Sequence, residues 1–431
     1  MTLAAALPSQ APPAFMLIPF VAMLLAIALM PFVNRHHWEH HYPKWATGLG
    51  AISVAYYLFF SPNYTRLGHT AHEYVSFLAL VGSLFVIAGG IHIIVKGEAK
   101  PWINVVFLVL ASLIANVIGT TGASMLLIRP WIRMNRYRIT GFHIVFFIFI
   151  VSNVAGCLTP IGDPPLFLGF LKGVPFWWVI QNCWQPWIIA MIALLVIFYV
   201  LDRANFLRAP KAIREKETAH ETWRFGGLRN LLFLAAVLGS VFIKSPPFLR
   251  EAIMIGAAVA SYLTTPRHVH EANDFNFEPI REVAWLFLGI FATMMPALDY
   301  LQTHAGQLSL NTEFQFFWAT GLLSGVLDNA PTYLAFLAAA FGMKGLDFDT
   351  QMPEFIASHN LMLVAISVAA VFFGAMTYIG NGPNFMVKAI ADRAKVETPS
   401  FFRYLFAYSV PILLPVFFLI GILFFSSWRV H

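Results

Sequence analysis

Apolar runs of about 20 residues recur along the whole chain, each long enough to cross a hydrocarbon core as a helix. They predict full spans at residues 14–33, 45–60, 74–95, 141–171, 182–202, 228–243, 250–265, 282–300, 358–391 and 401–426. Two further apolar segments, 102–133 and 313–342, are long for a single span and carry small polar residues at mid-course. These predict re-entrant hairpins, which enter and leave the membrane on the same side. A membrane β-barrel would instead alternate apolar and polar residues in short segments. The expected fold class is an all-α polytopic membrane protein with about ten spans and two hairpins.

The two longest spans are interrupted by one motif, written twice. The first copy is Thr159-Pro160-Ile161-Gly162-Asp163-Pro164-Pro165-Leu166-Phe167, and the second is Thr377-Tyr378-Ile379-Gly380-Asn381-Gly382-Pro383-Asn384-Phe385. Both read T-x-I-G-[D/N]-x-P-x-F. Gly and Pro break a helix, and in lipid the freed backbone groups are tolerated where they line a polar cavity. Paired breaks in corresponding halves of a chain point to the binding site of a transporter built from an inverted repeat.

Composition agrees with a membrane protein. The 431 residues are 59% hydrophobic and only 11% charged, against about 25% charged in soluble domains. The net charge of +6 needs no nucleic-acid partner, because cytoplasmic loops of membrane proteins are basic. With the amino terminus outside, the outer side holds only Arg66, Lys172, Lys244, Arg250, Lys344 and Arg429 of the 27 Lys and Arg. The other basic residues fall inside, as the positive-inside rule requires. Residues 1–13 carry no basic residue, so the run that follows is expected to be a first span and not a cleaved signal. Cys157 and Cys183 exclude a four-thiolate metal site from one chain and fit small buried hydrophobes.

Five segments follow: N-terminal scaffold spans in 1–100, a first repeat in 101–202, an inner-surface helical linker in 203–229, further scaffold spans in 230–312 and a second repeat in 313–426. The hairpin tips align as Asn116-Val117-Ile118-Gly119-Thr120-Thr121-Gly122-Ala123-Ser124 with Ser324-Gly325-Val326-Leu327-Asp328-Asn329-Ala330-Pro331-Thr332. That alignment sets Asn116 against Ser324 and Thr121 against Asn329. An inverted repeat would bring both tips and both breaks together near mid-membrane.

Side-chain oxygens at tips and breaks suit a hard cation such as Na⁺. The candidate ion or substrate ligands are Asp163, Asp328, Asn329, Ser324, Thr332, Asn116, Thr120, Thr121, Thr159, Thr377, Asn381 and Asn384. Gly162 and Gly380 shape the breaks. Asp163, Asp328, Asn329 and Thr121 form the expected Na⁺ set. The two Asp residues would also serve as plain helix caps, but an ionisable residue inside the membrane is functional by default. Asn153 is a candidate supporting group, His92 and His143 read as packing residues, and Glu282 and Asp299 bracket a scaffold span. The run His36-His37-Trp38-Glu39-His40-His41 is placed in an inner loop, as an interfacial anchor or a pH- or metal-responsive element.

At these residues the chain resembles the ion transporter superfamily, which includes NhaD-type Na⁺/H⁺ antiporters, ArsB-type pumps, citrate carriers and divalent-anion/Na⁺ symporters. The D-N-x-P-T tip at Asp328–Thr332 and the duplicated motif carry the resemblance. It implies a homodimer with a rigid scaffold and an elevator-like transport domain in a cell's inner membrane. Ser324 and Asn329 keep the spacing of the symporters' Na⁺-binding Ser and Asn, whereas the first tip departs from that pattern. The acidic Asp163 and Asp328 favour a Na⁺/H⁺ antiporter. The alternative is a Na⁺- or H⁺-coupled carrier of citrate, a dicarboxylate or an arsenite-type oxyanion. No cofactor is expected beyond a transported or coupling Na⁺. A membrane-embedded enzyme or respiratory subunit would need a nucleophile–base pair or redox ligands, and neither stands out.

Overall fold

The computed structural model describes residues 11–94, 100–208, 224–243 and 245–426. Among these, eight helical stretches are long and apolar enough to cross a membrane. In chain order the elements are α1 (Ile18–Val33), α2 (Arg35–Ala55), α3 (Tyr64–Gly89), β1 (His92–Ile94) and α4 (Pro101–Met134). Next come α5 (Gly141–Ile150), α6 (Pro164–Leu171), α7 (Phe176–Arg208), β2 (Arg224–Gly226), α8 (Asn230–Ser240), α9 (Leu249–Thr264) and α10 (Arg267–Ala272). The last are α11 (Glu278–His304), α12 (Glu313–Ser324), α13 (Asn329–Met343), α14 (Met352–Phe373), α15 (Gly382–Arg393) and α16 (Phe401–Phe425).

Among the described residues the fold is almost wholly helical, and the all-α expectation misses one small sheet. His92–Ile94 pairs antiparallel with Arg224–Gly226. Within the segment expected as a helical linker, 203–229, α7 extends to Arg208 and Arg224–Gly226 forms the second strand; 209–223 lie outside the described residues. Helix α3 begins at Tyr64 and not near 74, because Asn63 caps it by accepting from the Arg66 N–H at 3.0 Å. Helix α2 begins at Arg35, capped by Asn34, so His36, His37, His40 and His41 lie in its first two turns and not in a loop.

Segment 101–134 is a hairpin. Asn104 and Asn135 are 31 residues apart, which in a straight helix would be about 46 Å. Their side chains hydrogen-bond at 2.8 Å. The chain reverses at Gly119, whose φ of 76° and ψ of 156° suit only glycine. Helices α12 and α13 form the second hairpin, with the Phe316 and Phe336 ring centres 6.4 Å apart. The two broken helices are also present. Helix α5 stops at Ile150 and its path resumes as α6 at Pro164, while α14 stops at Phe373 and resumes as α15 at Gly382.

Two groups of helices pack on each other. Helices α1, α2, α3, α8, α9 and α11 form one, with Phe77 of α3 stacked on Phe287 of α11. The hairpins, broken helices, α7 and α16 form the other, around a core of fully buried residues such as Phe146, Phe147, Leu363 and Phe372. The seam is made by α3 and α11 against α4, α6 and α13. At the base of the first hairpin, buried Asp202 of α7 takes the Arg138 guanidinium, His143 Nε2 at 3.0 Å and Asn104 Nδ2 at 2.8 Å. His143 is thus a hydrogen-bonded packing residue, as expected. Both cysteines are buried and free.

Candidate functional site

Four elements converge on one carboxylate. Asp163 follows the first break and stands immediately before α6. Its Oδ1 accepts from Thr120 Oγ1 of the first tip at 2.6 Å and from Asn381 Nδ2 of the second break at 2.9 Å. Its Oδ2 accepts from Asn329 Nδ2 of the second tip at 2.6 Å. Asp163 is 1% exposed. Among the described residues no basic side chain forms an ion pair with it, so all of its partners are neutral donors.

The same backbone bonds hold each tip to its break. Thr120 N–H donates to Gly162 O at 2.8 Å, and Asn329 N–H donates to Gly380 O at 3.2 Å. Thr159 Oγ1 donates to Asn116 O at 2.6 Å, and Thr377 Oγ1 donates to Gly325 O at 2.8 Å. Each of these hydroxyls also accepts from its own glycine, Gly162 N at 3.1 Å and Gly380 N at 3.2 Å. These bonds correct the tip alignment by one residue. Thr120, not Thr121, matches Asn329, and Asn116 matches Gly325, not Ser324. The polar pattern alone fits either register; the turn at Gly119 decides it, because the residue after the turn faces the break.

The glycines are required by close approach. A Cβ on Gly162 would lie 2.2 Å from Gly156 O, and one on Gly380 would lie 2.7 Å from Gly374 O.

The remaining candidates sit around this centre. Asn384 Oδ1 accepts from Asn153 Nδ2 at 2.7 Å, and Asn384 Nδ2 donates to the Gly374 and Thr377 carbonyls. Asn381 also donates to Ser152 O and Asn153 Oδ1, so Asn153 supports the residue that holds Asp163. Asn116 spends its amide on Ser112 O, Ala155 O and the Leu158 N–H. Ser324 donates to Ala370 O and Thr332 to Asp328 O. Asp328 caps α13 by accepting from the Ala330 N–H at 3.0 Å, and it is not among the hydrogen-bond partners of the Asp163 cluster. Thr121 lines a cavity of about 30 Å³ beside Asp163, together with Leu84, Gly119, Thr120 and Phe167. That volume is large enough to admit water or a small ion.

Sequence reasoning missed Asp202 as a buried ion-pair partner, and it read Lys172 and Arg66 only as outer-loop charge. Both basic residues are buried in ion pairs with Asp349, at 2.8 and 2.7 Å. Asp299, expected to bracket a span, is buried against Arg66 at 2.8 Å. The available signal was a basic residue adjoining an apolar run, which needs a counter-charge.

A carboxylate with no cationic partner, buried among neutral donors, can be relieved by a proton or by a small hard cation. Among the described residues no group of three His, Cys, Asp or Glu gathers to hold a transition metal. The family model described as "Putative citrate transport" matches residues 9–425, nearly the whole chain. The chain belongs to this family. The citrate-transport assignment and the long apolar helices agree on a multi-pass membrane transporter with a small-molecule substrate. They support a carrier over an enzyme. No curated protein matches the chain.

Proposed function

We propose that the protein is a secondary carrier of citrate or a related oxyanion, coupled to H⁺ or Na⁺ at Asp163. The observation that carries this reading is a buried carboxylate with no cationic partner among the described residues, at the meeting point of both tips and both breaks, in a chain of the citrate-transport family. Two like charges 4 Å apart repel by about 4 kcal/mol at an effective dielectric of 20. An oxyanion therefore enters beside Asp163 only after a cation has neutralised it, and that order of loading is symport. The family match favours this alternative over the Na⁺/H⁺ antiporter expected from the two Asp residues.

In this reading the halves are inverted repeats. Segments 101–202 and 313–426 form a transport unit that moves against the scaffold spans of 1–100 and 230–312, with 203–229 as linker. The protein would work as a homodimer in a cell's inner membrane. Thr120, Asn329, Asn381 and the tip and break carbonyls would complete a Na⁺ shell. Uptake of labelled citrate, succinate and arsenite into proteoliposomes, under imposed H⁺ or Na⁺ gradients, tests the reading. Gradient-driven accumulation of a carboxylate is expected. Proton flux driven by Na⁺ alone, with no anion uptake, would return the protein to the antiporter reading.

A further inference from the structure

Five ionised groups form an alternating chain across the seam between the two groups of helices. Asp299 (α11), Arg66 and Glu73 (both α3) belong to the scaffold side. Lys172, at the end of α6, and Asp349, in the connection from α13 to α14, belong to the other side. Asp299 pairs with Arg66 at 2.8 Å, Arg66 with Asp349 at 2.7 Å, Asp349 with Lys172 at 2.8 Å, and Lys172 with Glu73 at 2.7 Å. Two of these four pairs cross the seam, and two stay within one side.

We propose that this chain is a clasp built to open, and that it holds the transport unit in the state seen here. The inference rests on the moving-unit reading above. Removing one partner of a buried ion pair strands a charge, which is strongly destabilising. This arrangement avoids that penalty when the seam parts. Arg66 keeps Asp299, whose carboxylate also accepts from the Tyr57 hydroxyl. Lys172 keeps Asp349 and stays over the Phe348 ring at 5.2 Å. The group that loses its cation is Glu73, whose side chain is 15% exposed. Separation thus leaves each basic residue paired on its own side.

The clasp is tied to the ion site by two short helices. Asp163 and Lys172 flank α6, an element about 12 Å long. Asn329 opens α13, and Asp349 lies just beyond its end. The two helices are pinned at one end by the Asn329–Asp163 bond and at the other by the Lys172–Asp349 pair. Between them Gly169 lies against the Tyr333 hydroxyl, where a Cβ would come within 2.4 Å. A change of charge at Asp163 therefore sits on the same rigid strut as the clasp.

The test is electron–electron distance measurement on the full chain in lipid nanodiscs, with spin labels at Tyr64→Cys and Thr350→Cys. Both positions are exposed, whereas Cys157 and Cys183 are buried. Glu73→Gln and Asp349→Asn each remove a seam-crossing partner and are expected to raise the long-distance population several-fold. Asp299→Asn removes only a pair within the scaffold and leaves Arg66 with Asp349, so its distribution should stay that of the parent. Unchanged distributions in both Glu73→Gln and Asp349→Asn would overturn the clasp, as would equal opening in Asp299→Asn. The readout needs no substrate. An opening seam in a protein that carries no citrate would keep the clasp and remove the citrate reading.

Discussion

Asn329 Nδ2 donates to Asp163 Oδ2 at 2.6 Å, across 166 residues of chain. The bond joins the second hairpin tip to the first break, so each half of the protein completes the site of the other. It also separates the two acidic residues that look alike in sequence. Asp163 gathers side chains from three other elements, whereas Asp328 caps the helix on which it sits.

Asp328→Asn should therefore keep transport within a few-fold of the parent, because Asn caps a helix about as well as Asp. Asp328→Ala should lower stability by about 1 kcal/mol. Uptake rates and thermal unfolding of the two variants check this. Complete loss of transport in Asp328→Asn would make Asp328 a second ion ligand.

Gly162→Ala should be more damaging than Gly380→Ala. Its added Cβ falls 2.2 Å from Gly156 O, against 2.7 Å from Gly374 O for the second break, and backbone must shift in both. Overpacking of this kind costs about 1–3 kcal/mol. Thermal unfolding in detergent should rank the variants in that order, and both should lose transport.

Asp202→Ala should be strongly destabilising, because it removes a buried carboxylate that pairs with the Arg138 guanidinium. The same substitution removes the acceptor of His143 and Asn104 at the base of the first hairpin. A fall in unfolding temperature no larger than that of Asp328→Ala would contradict this.

The pairing of Asp349 should appear as a pH dependence. Burial raises the pKa of its carboxyl, but Arg66 and then Lys172 outweigh burial and leave it lowered. A lowered folded value means that the stabilisation is complete above the ordinary value of 3.8 and is lost as pH falls through the folded value. The stability gap between parent and Asp349→Asn should be flat at neutral pH and close only under acid conditions.

Much of this was legible in the chain because lipid constrains it strongly. A broken apolar span needs polar company: the duplicated motif marked both breaks with Asp163 among its residues, and the over-long apolar segments with polar mid-points marked both hairpins. The tip register was not legible. Asn116, Thr120 and Thr121 offer polar matches in two frames, and only the turn at Gly119 chooses between them. The start of α2 was hidden because its apolar face there is only Trp38 and Tyr42 among histidines, and its cap by Asn34 is a local bond that periodicity does not register. The Asp202–Arg138 pair and the clasp join distant segments, so a basic residue beside an apolar run signals that a counter-charge exists but not which one.

The most direct measurement is citrate accumulation by Asp163→Asn in proteoliposomes under H⁺ and Na⁺ gradients. Asn keeps the shape of the side chain but removes the charge that a coupling cation must neutralise. Gradient-driven accumulation is expected to disappear while folding and oligomeric state are unchanged. Accumulation at the parent level, with the same dependence on the cation gradient, would contradict it and place the coupling site elsewhere.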